Sequence, residues 1–131
     1  MDIDSLDLTG KRILVVDDVK INRLILNNIL SEKGAEIVEA SDGGEAVNIF
    51  SADPRGIDII LMDIMMPNMD GYQAARAIRT LETGSRRIPI IAVTALSYSE
   101  DRDAVIDAGM DFHLEKPVEP ESLLTCIARF I

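Results

Sequence analysis

Two hydrophobic periods alternate along this chain. Short, nearly unbroken apolar runs (RILVV, AEIVEA, IDIILM, IPIIAV and DFHLEK) are separated by longer stretches whose apolar residues recur at helical spacing. The runs read as strands and the stretches as amphipathic helices, giving βαβαβαβαβα. The pattern predicts strand 1 at 12–16 and helix 1 at 20–33, with Gly34 as its stop. Strand 2 follows at 35–40. Asp42 is expected to cap helix 2 in a capping box with Glu45. Strand 3 is expected at 57–62, and helix 3 from near Asp70 to the polar loop ETGSRR. Strand 4 is expected at 88–93, with Pro89 tolerated at its start. Ser97 and Glu100 suggest a second capping box for helix 4, which stops at Gly109. Strand 5 is expected at 111–116, and Pro120 suits the first turn of helix 5.

Strand composition predicts the order of the sheet. Runs 1, 3 and 4 are almost wholly Val, Ile, Leu and Met, as parallel strands covered on both faces must be. Runs 2 and 5 carry charges and read as edges. Right-handed crossovers then favour the order 2-1-3-4-5, the flavodoxin-like arrangement. The expected fold class is α/β, a three-layer α/β/α sandwich around a five-stranded parallel sheet. On helix 1, Ile25, Leu26, Ile29 and Leu30 share one wide stripe suited to the sheet. Leu24 falls nearly opposite that stripe and Ile21 at its margin. Either these are scattered exposed apolar residues, or they form a docking surface.

At 131 residues the chain is long enough for one core without disulfides or structural metal. Residues 1–10 read as a lead-in and 11–131 as the domain, with no internal repeat. A formal net charge of −10 argues against nucleic acid and against an anionic membrane as direct partners. No run approaches a transmembrane span, and the acidic N-terminus lacks the features of a secretory signal. One cysteine, Cys126, cannot form an internal disulfide; it reads as a small core residue and fits a cytoplasmic location. One histidine, His113, rules out a multi-histidine metal site. No Walker or dinucleotide glycine pattern appears.

Chemistry gathers at the strand ends. Strand 1 runs into Asp17 and Asp18, strand 3 into Asp63, strand 4 into Thr94 and strand 5 into Lys116. Carboxyl ends of parallel strands share one edge, outside which ligands bind. Carboxylates meeting there repel one another and raise each other's pKa, a conflict that a divalent cation resolves; Mg²⁺ prefers such oxygen ligands. Taken singly, each residue has a plain reading: Asp17 and Asp18 as the start of helix 1, Lys116 as a solvated lysine, Thr94 as a strand former. Together they suit phosphoryl chemistry.

RILVVDD, DIILMDIMMPNMDG, IPIIAVTA and DFHLEKP, in this order and spacing, closely resemble the receiver domain of two-component response regulators, over residues 11–130. The resemblance implies that Asp63 is a phosphoacceptor, taking a phosphoryl group from a phosphohistidine on a histidine kinase or histidine phosphotransfer protein. It implies that Asp18 and Asp63 bind Mg²⁺ directly, Asp17 mostly through water, and Met65 through its carbonyl. Lys116 and Thr94 would contact phosphoryl oxygens. Lys116-Pro117 resembles the family's usual cis step. The chain would label itself and lose the label slowly, rather than turn over a substrate. Met65 and Leu96 occupy the positions that tune hydrolytic water, and both are apolar. His113 stands where the family usually has Tyr or Phe coupled to the threonine; it is either a switch residue, able to titrate near neutrality, or a half-exposed edge histidine. Homodimers through helix 4, strand 5 and helix 5 occur in the family. The DLTG lead-in and the ETGSRR loop resemble receivers attached to hybrid histidine kinases, and a single-domain regulator also fits. Two other classes remain: a metal-dependent phosphatase of the haloacid dehalogenase type, which would need an aspartate where Met65 stands, and a module that binds without phosphorylation.

Overall fold

The computed structural model describes residues 3–82 and 86–131, and the backbone alone at residue 98. Five parallel strands, β1 (Arg12–Val16), β2 (Glu36–Ala40), β3 (Ile59–Asp63), β4 (Ile90–Thr94) and β5 (Phe112–Glu115), form one sheet in the order β2-β1-β3-β4-β5. Helices α1 (Lys20–Ser31), α2 (Gly43–Ala52), α3 (Gly71–Leu81), α4 (Tyr98–Asp107) and α5 (Pro120–Phe130) connect and follow them. The three-layer arrangement and strand order are those expected.

Because successive side chains of a strand point to opposite faces, each strand feeds two cores. Leu14, Val16, Ile60, Met62, Ile90 and Ala92 pack with residues of α2, α3 and α4, among them Phe50, Ile78 and Val105. Ile13, Val15, Ile59, Leu61, Ile91 and Val93 pack with residues of α1 and α5, among them Leu30, Leu123 and Ile127. Each of the larger side chains, Val, Leu, Ile, Met or Phe, contributes roughly 1.5–3 kcal/mol by leaving water. Cys126 is buried in the second core, and burial pushes its thiol up to about 12, so it behaves there as a small apolar residue.

Several boundaries and caps differ from expectation. Strand β3 starts two residues later than read, because Asp58 is engaged beside the ladder: its carboxylate accepts from the Arg12 amide at 2.8 Å. Strand β4 also starts later; the Ile88 amide donates to Glu82 Oε2 at 2.7 Å instead of to a strand. Both strands run one residue further at their carboxyl ends, so Asp63 and Thr94 are the last strand residues rather than the first loop residues. Helix α1 ends at Ser31, and Gly34 turns the chain at φ +95°, where a Cβ would also meet Thr9. Asp42 caps α2, but Glu45 bonds the Ser41 hydroxyl at 2.9 Å instead of closing a reciprocal box. Ser97 precedes α4 without capping it; its hydroxyl pairs with that of Ser99 at 3.2 Å. The reciprocal box lies at α3, between Asp70 and Gln73.

The lead-in packs on the domain. Leu8 is fully buried in the α1–α5 core, its amide donates to the Lys33 carbonyl at 2.8 Å, and Ile3 and Leu6 pack against the same cluster. Most of the ETGSRR loop, residues 83–85, lies outside the described residues. Among the described residues no helix is long and apolar enough to cross a membrane.

Candidate functional site

The carboxyl edge of the sheet brings together Asp17, Asp18, Asp63 and Lys116. Asp17 follows β1 directly and is almost wholly buried; its Oδ1 accepts from the Val19 amide at 2.8 Å and its Oδ2 from Lys116 Nζ at 2.9 Å. Asp63, buried at the end of β3, lies 3.3 Å from the same ammonium. Asp18 is exposed beside them. Carboxylate oxygens of Asp17, Asp18 and Asp63 lie within 4.8 Å of one another. Lys116 is thus no solvated surface lysine: it reaches from the end of β5 to two strands' carboxylates, and its amide donates to the Thr94 carbonyl at 2.8 Å. Lys116-Pro117 is a cis peptide.

Thr94 is completely buried, one register step past the Asp63–Val93 pair, and its hydroxyl accepts from the Leu96 amide at 3.2 Å. Met65, two residues past Asp63, has 65 % of its surface exposed; Leu96 is half-buried. The close approach of α3 depends on Gly71, whose amide donates to the Ile64 carbonyl at 2.8 Å. A Cβ there would overlap the carbonyl of Asp63.

Charge at this edge is unbalanced, three carboxylates against one ammonium. Burial, then the neighbouring charge of Asp17, push Asp63 up from 3.8 to about 6, although Lys116 opposes the shift. Burial disfavours the ammonium of Lys116, but its hydrogen bond to Asp17 and the charges of Asp63 and Asp17 outweigh this and hold its pKa above the ordinary lysine value. The cluster is a hard-oxygen set suited to a small divalent cation, with an ammonium already in position for an anion.

Two flanks complete the edge. On one, a cleft of about 360 Å³ runs between α1 and the loop after β5, walled by Ile25, Leu26, Val93, Pro117 and Val118. Ile25 therefore does not belong to the buried stripe of α1. It is 49 % exposed, while Leu26 and Leu30 make the sheet contact. Val19, Ile21 and Leu24 are exposed on the same helix end. On the other flank, the His113 imidazole is buried rather than half-exposed, with Nε2 at 3.8 Å from Oδ2 of the buried Asp101 of α4. It pairs in register with Ala92, on the sheet face that also carries Thr94. Burial raises the Asp101 pKa, and His113 partly offsets the rise.

The sequence pattern of the response regulator receiver domain matches residues 13–128. The chain belongs to that family. It is 37 % identical to probable histidine kinase 2 of Oryza sativa subsp. indica, over 92 % of this chain but 13 % of that kinase. The chain thus spans only a small part of the length of this relative. Among solved structures, it is 36 % identical to the receiver domain of the histidine kinase CKI1 from Arabidopsis thaliana complexed with Mg²⁺, with a TM-score of 0.86 over 96 % of this chain and 95 % of that one. It is 28 % identical to the Ssk1 receiver domain from Saccharomyces cerevisiae, solved with the histidine phosphotransfer protein Ypd1, with a TM-score of 0.83 over 93 % and 89 %. This receiver domain of two-component signalling therefore shares its architecture with receivers of histidine kinases and of a downstream regulator.

Sequence reasoning missed three contributors here. Gly71 follows the expected start of helix 3 near Asp70, and nothing in the sequence marks it as a close approach. Asp101, in the first turn of α4, and Arg23, on α1, carry no distinguishing signal in the sequence. Only the tertiary structure shows that the latter two reach His113 and the Asp17 backbone.

Proposed function

We propose that Asp63 is the phosphoacceptor of this receiver, taking a phosphoryl group from a phosphohistidine on a histidine kinase or histidine phosphotransfer protein. A carboxylate oxygen of Asp63 attacks phosphorus, the P–N bond breaks, and the electron pair leaves with the imidazole, which takes up a proton. An acyl phosphate results. With a pKa of about 6, Asp63 is mostly ionised at neutral pH and available as a nucleophile. Lys116 neutralises charge on a phosphoryl oxygen, and the Thr94 hydroxyl turns from acceptor to donor toward another. Asp18 and Asp63 would hold Mg²⁺, with Asp17 acting mainly through water and Met65 through its carbonyl. The bound cation would offset the negative charge of the transferring group. The observation that carries this reading is one ammonium, Lys116, within 3.3 Å of carboxylates from two different strand ends.

The deciding experiment is incubation with a small phosphodonor and Mg²⁺. Wild-type protein should take up one acid-stable, base-labile phosphoryl group per chain and Asp63→Asn none. Repeated turnover of a phosphate ester would instead favour the phosphatase class, and no labelling the non-phosphorylated binding module.

The exposed apolar group at Val19, Ile21, Leu24 and Ile25, beside the acidic edge, supports docking of a partner's helical bundle here. Met65 and Leu96 offer no acid or amide to orient water, which supports a persistent label. His113, buried on the sheet face of Thr94, supports a role in coupling that residue to α4. Homodimers through α4, β5 and α5, and a cytoplasmic site of action, complete the reading.

A further inference from the structure

We propose that Arg23 is a positioning residue for the metal-binding carboxylates, acting through the peptide that joins Asp17 to Asp18. This inference rests on the reading of that edge as a Mg²⁺ site.

Four groups of Asp17 are engaged. Its amide donates to the Ala40 carbonyl of β2 at 3.1 Å, and its two carboxylate oxygens accept from Val19 and Lys116. The remaining group, its carbonyl, accepts from Arg23 Nη1 at 2.6 Å. That carbonyl belongs to the Asp17–Asp18 peptide, so the guanidinium fixes the peptide plane from which the Asp18 side chain projects. Asp18 needs such an anchor. Its side chain is exposed, and among the described residues no hydrogen bond holds its carboxylate. Packing therefore contributes little to its direction, which follows from the backbone.

Arg23 is itself held rigidly. Its side chain is only 14 % exposed, and Nε donates to Glu39 Oε1 at 2.9 Å, in an ion pair. Glu39 lies on β2, paired with Val15, and Ala40, which receives the Asp17 amide, is the next residue. The β1–α1 connection is thus clamped from two directions by one edge strand: directly by Ala40, and through Arg23 by Glu39. A guanidinium suits this task because its planar fork serves a carbonyl and a carboxylate together, which an ammonium cannot do with the same geometry. Because Glu39 is exposed, the ion pair alone would contribute little. Its use here is to direct the second nitrogen at the Asp17 carbonyl.

Outer-shell partners of metal ligands typically account for 10- to 100-fold of metal affinity. The test is Mg²⁺ titration by calorimetry, with Mg²⁺-dependent thermal shift as a second readout, on wild type, Arg23→Gln, Arg23→Lys and Glu39→Gln. Arg23→Gln should bind Mg²⁺ about 10-fold more weakly. Arg23→Lys should recover part of that loss and Glu39→Gln should show a smaller one. The half-saturating Mg²⁺ for labelling by a small phosphodonor should rise in parallel, with the rate at saturating Mg²⁺ little changed. Arg23→Gln that is folded yet binds Mg²⁺ within twofold of wild type overturns the proposal while leaving the phosphoacceptor reading intact. If Arg23→Gln fails to fold, unchanged affinity in both Arg23→Lys and Glu39→Gln overturns it equally. Wild-type protein that takes up no Mg²⁺ overturns both readings.

Discussion

The two ends of the sheet carry charge in opposite ways. At the amino end, Arg79 of α3 bonds Asp111 at 2.8 Å and Glu82 at 2.9 Å, and donates to the carbonyls of Gly109 and Ile88. Arg87 meets the other oxygen of Asp111 at 2.9 Å. Two guanidinium groups there face two carboxylates, and backbone carbonyls take up spare donors. At the carboxyl end, three carboxylates face one ammonium, and one of them is driven to about 6. The amino end is a clamp whose charges cancel within the protein. The carboxyl end holds a surplus of negative charge that only something from outside can cancel. The proposed function lies where electrostatic balance is left incomplete.

Breaking the clamp should have the largest effect. Arg79→Ala leaves Asp111, Glu82 and two carbonyls each one partner short, and removing one member of a buried pair costs about 3–5 kcal/mol, an upper bound for this part-buried network. Denaturant unfolding should show that loss. Mg²⁺ affinity of the folded fraction should stay unchanged, because the clamp lies at the far end of the strands. A change in affinity would mean that the two ends are not independent.

Removing charge from the other end should do the reverse. The shift of Asp63 from 3.8 to about 6 corresponds to about 3 kcal/mol against folding at neutral pH. The folded protein binds this proton more tightly than the unfolded chain. The penalty is therefore absent below about pH 4, grows as pH rises, and is complete above about pH 6. Asp63→Asn should stabilise the metal-free domain at pH 7 by about 1–3 kcal/mol, less than the full amount because Lys116 loses a partner. The variant's stability should also vary less between pH 4 and pH 7. Mg²⁺ should stabilise wild type more than the variant. An Asp63→Asn protein less stable than wild type at pH 7 would show that this edge carries no electrostatic strain.

How much of this contrast can be read in the sequence differs between the two ends. Strand order and the gathering of Asp17, Asp63 and Lys116 follow from hydrophobic period, edge charges and crossover handedness, all of which act along the chain. The clamp does not. Arg79 and Asp111 stand 32 residues apart with no periodic signal linking them. Caps failed for a related reason: Glu45 and Ser97 each had a competing neighbour, Ser41 and Ser99, and sequence does not rank two nearby partners. Ile25 was assigned to the core because a wide stripe at 100° per residue tolerates it. The sheet is met mainly by Leu26 and Leu30, and Ile25 is left at the cleft.

The smallest effect on stability should come from the apolar rim, and it separates the two ends most clearly. Val19, Ile21, Leu24, Ile25 and Met65 are exposed near the carboxyl edge, where a partner would bring its phosphohistidine. Leu24 is 40 % exposed, so Leu24→Glu should change unfolding free energy by no more than about 0.5 kcal/mol. Labelling by a small phosphodonor needs only the acidic edge and Lys116, and should proceed at the wild-type rate. On the proposed reading, transfer from a phosphorylated histidine phosphotransfer protein would need the rim as well. It should slow about 10-fold, since losing one buried apolar anchor and placing a charge there costs at least about 1.4 kcal/mol of complex stability. Equal slowing with both donors would locate the effect in the chemistry, and no slowing with either would leave α1 without a docking role.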